Sequence, residues 1–184
     1  KIALDVMGGD HAPTANLDGA KLAIHSLPDI QRLYLVGDEQ TIKAQLDGSL
    51  IDQKKIEIVH ADQTVEMHES PAKAIRRKKN SSISIATDLV KEGTCEALVS
   101  AGNTGAAVAA ATIKLRNLPG VERAGIASPI PNEHGQCNIV DAGANPDAKP
   151  IHLLQYAIMG TVYSKHVLGK TSPRVGLMSV GTED

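Results

Sequence analysis

Short apolar runs alternate along this chain with longer stretches in which apolar residues recur every three or four positions, the pattern of strands interleaved with helices. Ile2-Ala3-Leu4-Asp5-Val6, Leu33-Tyr34-Leu35-Val36 and Ile56-Glu57-Ile58-Val59 read as strands, and Ala97-Leu98-Val99 as a short buried one. Pro13 suits the first turn of a helix whose apolar side carries Leu17, Ala20, Leu22 and Ile24 and which Pro28 closes. Asp38 is placed to cap a helix over Ile42 and Leu46. Pro71 opens a short helix over 72–78, Ser81 or Ser82 caps one that runs to about Lys91, and an Ala-rich helix spans 106–115. Residues 125–128 and 137–140 read as strands joined by a hairpin loop over 129–136, hence an antiparallel pair. Pro150 opens a long helix with Ile151, Leu154, Ile158 and Val162 on one side, and residues 175–180 form a last strand. Strands alternating with helices predict an α/β fold with a mainly parallel, doubly wound sheet, and residues 1–184 read as a single domain.

Composition narrows the picture. Hydrophobic residues make up 42% of the 184 but aromatics only 2%, so the core is built from Ala, Val, Ile and Leu, which suits layered α/β packing. A net charge of -2 gives no general attraction to nucleic acid. Cys95 and Cys137 have no metal-ligand spacing and suggest no disulfide framework, which points to a reducing cytoplasm. No apolar run approaches the ~20 residues that span a bilayer, and no signal peptide is visible. Lys1 stands directly before a strand, so an initiator Met is expected to precede it. Asp184 follows a strand and turn without a closing helix, as at a cut through a larger protein.

The chemistry concentrates in glycine turns. Ser100-Ala101-Gly102-Asn103-Thr104-Gly105-Ala106 is a strand end, a tight turn and a helix start, which aims unpaired N–H groups and a positive dipole end at whatever sits in the turn. Gly102 and Gly105 let the backbone approach closely, and Asn103 and Thr104 add donors for a phosphate oxygen. The competing explanation is a well-capped helix with no ligand. Similar turns end three other strands: Met7 to Asp10, Asp141 to Asn145, and Ser179 to Thr182. Ligands of open α/β sheets bind beyond the carboxyl ends of strands, so several of these turns are expected to share one.

Other signals are weaker or absent. Gly102-x-x-Gly105 lacks the first glycine of the dinucleotide fingerprint, and there is no phosphate-loop or serine-hydrolase motif. Both cysteines read as structural. His60 and His68 with Glu66 and Glu69 are better explained by an exposed polar loop than by a metal, and no cofactor is called for. Asp10 either caps the following helix or serves a site, and His11 beside it can act as acid, base or phosphate donor near neutral pH. Arg76-Arg77-Lys78-Lys79 either compensates a helix dipole, docks an acidic partner, or turns one cation inward to hold phosphate.

Four segments in order, Asp5-Val6-Met7-Gly8-Gly9-Asp10-His11-Ala12-Pro13, Ala74-Ile75-Arg76-Arg77-Lys78-Lys79-Asn80-Ser81-Ser82, Ser100 to Ala106, and Asp141-Ala142-Gly143-Ala144-Asn145, resemble the signatures of the bacterial acyl-ACP:phosphate acyltransferases, the PlsX family. Members of that family continue well past the position matching Asp184. The resemblance implies a cytoplasmic homodimer with a three-layer α/β/α fold similar to isocitrate-type dehydrogenases and phosphate acetyltransferases. It implies transfer of a fatty acyl group from acyl carrier protein to inorganic phosphate, with no metal. The acyl phosphate product would feed phospholipid synthesis through a membrane-bound glycerol-phosphate acyltransferase, with peripheral association to it or to the membrane. On this reading Asp10, His11, Asn103 and Thr104 are the catalytic candidates. Gly8, Gly9, Ser100, Gly102, Gly105, Asp141, Gly143, Asn145, Arg76 and Lys78 line the substrates. The rival readings are a phosphate acetyl- or butyryltransferase using coenzyme A, and a non-catalytic module that binds a phosphorylated metabolite.

Overall fold

A computed structural model describes residues 1–46, 53–145 and 147–178. The chain divides into two compact units, Lys1–Arg116 and Asn117–Asp184. The first is built on a four-stranded parallel sheet in the order β3-β2-β1-β4, with β1 Ile2–Asp5, β2 Leu33–Gly37, β3 Ile56–His60 and β4 Ala97–Ser100. Its helices are α1 Thr14–Ser26, α2 Glu39–Gln45, α3 Pro71–Arg77, α4 Ser82–Lys91 and α5 Thr104–Ala110, the last continuing as a π-helical turn over Ala111–Leu115.

Both faces of the sheet are covered at β2, which is why it is apolar and buried throughout, whereas β4, expected to be buried, leaves Ala97 and Val99 exposed at the sheet edge. Leu4, Val6, Leu33 and Leu35 pack against Leu17 and Ala20 of α1 and Ile42 of α2. Ala3, Tyr34 and Val36, on the opposite face, meet Ala86 of α4 and Cys95. The result is a helix–sheet–helix layering, as expected. A third cluster of Val65, Ala74, Ile75, Ile83, Ala106 and Ala110 joins α3, α4 and α5. Asp38 caps α2 as expected, its Oδ1 accepting from the Thr41 N–H at 2.8 Å, and these bonds from Thr41 hold its carboxyl below the usual range. Leu22 does not share the buried side of α1. It is 66% exposed, because a residue two positions after Ala20 points to the far side of the helix.

The second unit holds an antiparallel pair, β5 Ala127–Asn132 and β6 Gly135–Val140, and the long helix α6 Pro150–His166. The pair is antiparallel as expected, but both strands reach further into the expected loop, and Gly125 and Ile126 lie outside β5. Pro129 and Pro131 lie inside β5, where a two-stranded ribbon tolerates them, and the turn shrinks to Glu133 and His134. Helix α6 forms from Pro150 as expected, but turns the other way. His152 and Tyr156 are buried, and Gly160 faces Val140, while Ile151, Leu154, Ile158 and Val162 are exposed. Residues 175–178 form no strand, and the rest of that expected strand, with its turn over 179–182, lies outside the described residues.

Candidate functional site

The strand order places β1 beside β4, so the sheet reverses direction of winding between them, at the carboxyl ends that lead into Met7–Asp10 and Ala101–Gly105. There the two turns interlock. A Cβ on Gly8 would stand 3.0 Å from the Gly102 Cα and 2.5 Å from Asp5 Oδ2. Gly9 has φ +113°, a left-handed backbone that suits glycine, and presses toward the Ala101 carbonyl. Asn16 of α1 fastens the first turn, its amide donating to the carbonyls of Val6 and Gly8 at 2.8 Å each.

The second turn is held as firmly. Ser100, paired in register with Asp5, donates its hydroxyl to Asp5 Oδ2 at 2.7 Å and accepts the Gly102 N–H at 3.1 Å. Asn103 uses both ends of its side chain. Oδ1 caps α5 by accepting the Ala106 N–H at 3.0 Å, and Nδ2 donates to the carbonyls of Glu66, Met67 and Glu69 at 3.3, 3.0 and 3.3 Å. Its amide is therefore engaged at both ends in holding the turn. Gly105 is small for Pro71, whose Cγ would lie 2.6 Å from an added Cβ, and Gly102 is small for Gly8. Close approach at these glycines serves chain-to-chain packing.

The remaining donors are few and specific. The N–H groups of Thr104 and Gly105, first in α5, have no intrahelical acceptor, and the Thr104 hydroxyl is exposed without a partner among the described residues. The N–H groups of Gly8, Gly9 and Asp10 make no hydrogen bond among the described residues. Asp10 and His11 are exposed, and Asp10 does not cap α1, whose N-cap is Pro13 with no side-chain bond. This removes the capping explanation for Asp10.

Of the basic run, Lys78 is turned inward, donating to Glu69 Oε2 at 2.5 Å and the Thr64 carbonyl at 2.6 Å. That hydrogen bond holds the Glu69 carboxyl below its ordinary range. Lys78 is thus paired with a carboxylate. Arg76, Arg77 and Lys79 are exposed with no ion-pair partner among the described residues. His60 accepts the Glu39 N–H at 3.3 Å. Burial pushes the Cys95 thiol up, away from a nucleophilic thiolate, while Cys137 is exposed on β6.

In the second unit, the turn after β6 is organised by Asp141. Burial pushes its carboxyl up, but bonds from the N–H groups of Ile126, Ala144 and Asn145 and the Asn145 amide outweigh this and hold it low. Asn145 also donates to the Ala124 carbonyl at 2.9 Å. Both side chains are braces of the loop, and Ala142 and Gly143, the latter with φ +93°, are exposed on it.

Sequence reasoning missed Asp5, Asn16 and Pro71. A carboxylate inside an apolar strand was the available signal for Asp5, whereas nothing local marks Asn16 or Pro71 as partners of distant glycines.

A parallel sheet with interlocked glycine turns at its point of reversed winding defines a doubly wound α/β unit with a candidate ligand site at that edge. The comparisons with known proteins make the assignment particular. The model of the fatty acid synthesis protein family matches residues 1–184, and the chain belongs to that family. A phosphate acyltransferase of Akkermansia muciniphila is 58% identical over 184 residues, covering 100% of this chain and 53% of the relative. Phosphate acyltransferases of Pelotomaculum thermopropionicum and Bacillus subtilis are 50% and 46% identical over 188 and 185 residues, covering 100% of this chain and 53% and 54% of theirs. The chain spans about half the length of the curated relatives it matches.

Proposed function

We propose that the full-length protein transfers a fatty acyl group from acyl carrier protein to inorganic phosphate, giving an acyl phosphate for phospholipid synthesis. The observation that carries this reading is the meeting of Gly8 and Gly102 at the winding reversal, with free backbone donors on either side. The relatives' name, phosphate acyltransferase, supplies the chemistry.

A phosphate oxygen attacks the thioester carbonyl, the new C–O bond forms, and the C–S bond breaks as the carrier's thiolate departs. The attacking group is the substrate itself, so no protein nucleophile is needed, in keeping with the buried Cys95. The N–H groups of Gly9 and Asp10 hold phosphate from one turn. Those of Thr104 and Gly105 close on the same phosphate from the other turn, and the Thr104 hydroxyl faces the oxyanion of the tetrahedral intermediate. His11 protonates the leaving thiolate. The protein works as a homodimer in the cytoplasm, close to the membrane enzyme that consumes its product. Among the described residues no helix is long and apolar enough to cross a membrane.

Arg76, Arg77 and Lys79 suit an acidic carrier protein. Charge reversal at Arg76 and Lys79 is expected to raise the apparent KM for acyl carrier protein about tenfold at low ionic strength and less at high salt, with the KM for phosphate unchanged. Steady-state kinetics across a salt series checks it, and a change in phosphate KM alone would move the run to the phosphate site.

The reaction is tested by giving the full-length protein phosphate with either acyl carrier thioester or acyl-CoA and trapping acyl phosphate with hydroxylamine. Acyl phosphate from the carrier thioester is expected. Turnover with the CoA thioester only would replace this reading with a CoA-dependent one.

A further inference from the structure

β1 carries one charged residue among apolar ones, and it is buried: Asp5 is 3% exposed. A carboxylate is costly to bury, so its presence calls for an explanation outside stability. Its contacts supply one. Oδ2 accepts the Ser100 hydroxyl at 2.7 Å, which fixes the direction of that hydrogen and leaves the Ser100 oxygen lone pairs for the Gly102 N–H at 3.1 Å. Gly8 presses on the same Oδ2, and Asp5 Oδ1 is buried without a hydrogen bond among the described residues. One carboxylate thus bears on both signature turns.

We propose that Asp5 and Ser100 are a positioning pair that sets the turn after β4 against the turn after β1, and that phosphate affinity depends on them without either touching phosphate. Ser100 then moves from the substrate-lining group to the support beneath it. The chain from Asp5 through Ser100 consumes the Gly102 N–H internally and leaves phosphate and oxyanion to the donors of Thr104 and Gly105. This rests on the phosphate reading above.

The test uses the full-length protein. Ser100→Ala is expected to raise the KM for phosphate about tenfold or more while kcat and the KM for the acyl thioester change less than about twofold. Ser100→Thr keeps the hydroxyl and is expected to stay within about threefold of wild type. Should Ser100→Ala fail to fold, Ser100→Cys, similar in size but a poor acceptor, is expected to show the same selective rise. The thermal upshift that inorganic phosphate gives the wild-type protein should disappear in the Ala variant. That readout stands apart from the reaction: a phosphate upshift lost on Ser100→Ala would sustain the positioning pair even if no acyl phosphate formed. The pair is overturned if phosphate affinity is unchanged in the Ala and Cys variants, if both KM values rise in parallel, or if Thr is no better than Ala.

Discussion

Gly8→Ala is expected to remove more than about 99% of acyl transfer in the full-length protein, because the added methyl has nowhere to go. It would lie 2.5 Å from Asp5 Oδ2 and 3.0 Å from the Gly102 Cα. The carboxylate cannot swing away without breaking its 2.7 Å bond to Ser100, and Gly102 is backbone. Relief therefore requires the two turns to part, which separates the donors that flank the site. Overpacking of this kind costs about 1–3 kcal/mol of stability, so a weakened but folded protein is expected. Gly19→Ala is the control. Nothing lies within 4 Å of a Cβ there, and the residue sits inside α1, so activity should be unchanged and stability should rise by about 0.5–1 kcal/mol. Initial rates and denaturant midpoints of both variants decide the matter. A Gly8→Ala enzyme with near wild-type rate would remove the turn contact from the site.

Asn103→Ala is expected to lower turnover well over tenfold, and for a different reason from a lost substrate contact. The cap to Ala106 contributes about 1–2 kcal/mol, and the same side chain ties α5 to three carbonyls of residues 66–69. Asn103→Asp separates the two. It keeps the capping oxygen but sets a carboxylate oxygen against those carbonyls, so the helix start survives while the tie is lost. Stability close to wild type with a rate as low as the Ala variant's would assign the effect to the tie. Thr104→Ala is the contrasting case, with lowered turnover and an unchanged unfolding midpoint, because the Thr104 side chain is exposed and bonded to nothing described. Circular dichroism melts beside kcat measurements distinguish the three.

Much of the fold was readable from local pattern, and most of what was not depends on contacts between distant segments. The continuous apolar run of β2 marks a strand covered on both faces, and Ile56 and Ile58, on one face of β3, pack together against the α1 and α2 side. Asp38 and Pro71 mark helix starts by chemistry confined to a few residues. Helical spacing identified α6 but not which of its sides is covered. The side with more apolar residues is exposed, and the buried side meets β6 through Gly160 and packs Tyr156 against Gly125. The turn glycines show the same division. A glycine at 8, 102 or 105 announces close approach, but what approaches is Asp5, Gly8 or Pro71, and only the tertiary fold could say so. Asn103 looked like a donor for substrate because its residue type suits that task. Its amide meets the 66–69 carbonyls first, and those lie more than thirty positions away in the chain.

The most direct test of the account is a crystal structure of the full-length protein with inorganic phosphate bound. Phosphate is expected beyond the carboxyl ends of β1 and β4, within hydrogen-bond reach of the N–H groups of Gly9 or Asp10 on one side and of Thr104 or Gly105 on the other. Phosphate bound elsewhere, with both turns empty, would contradict the account.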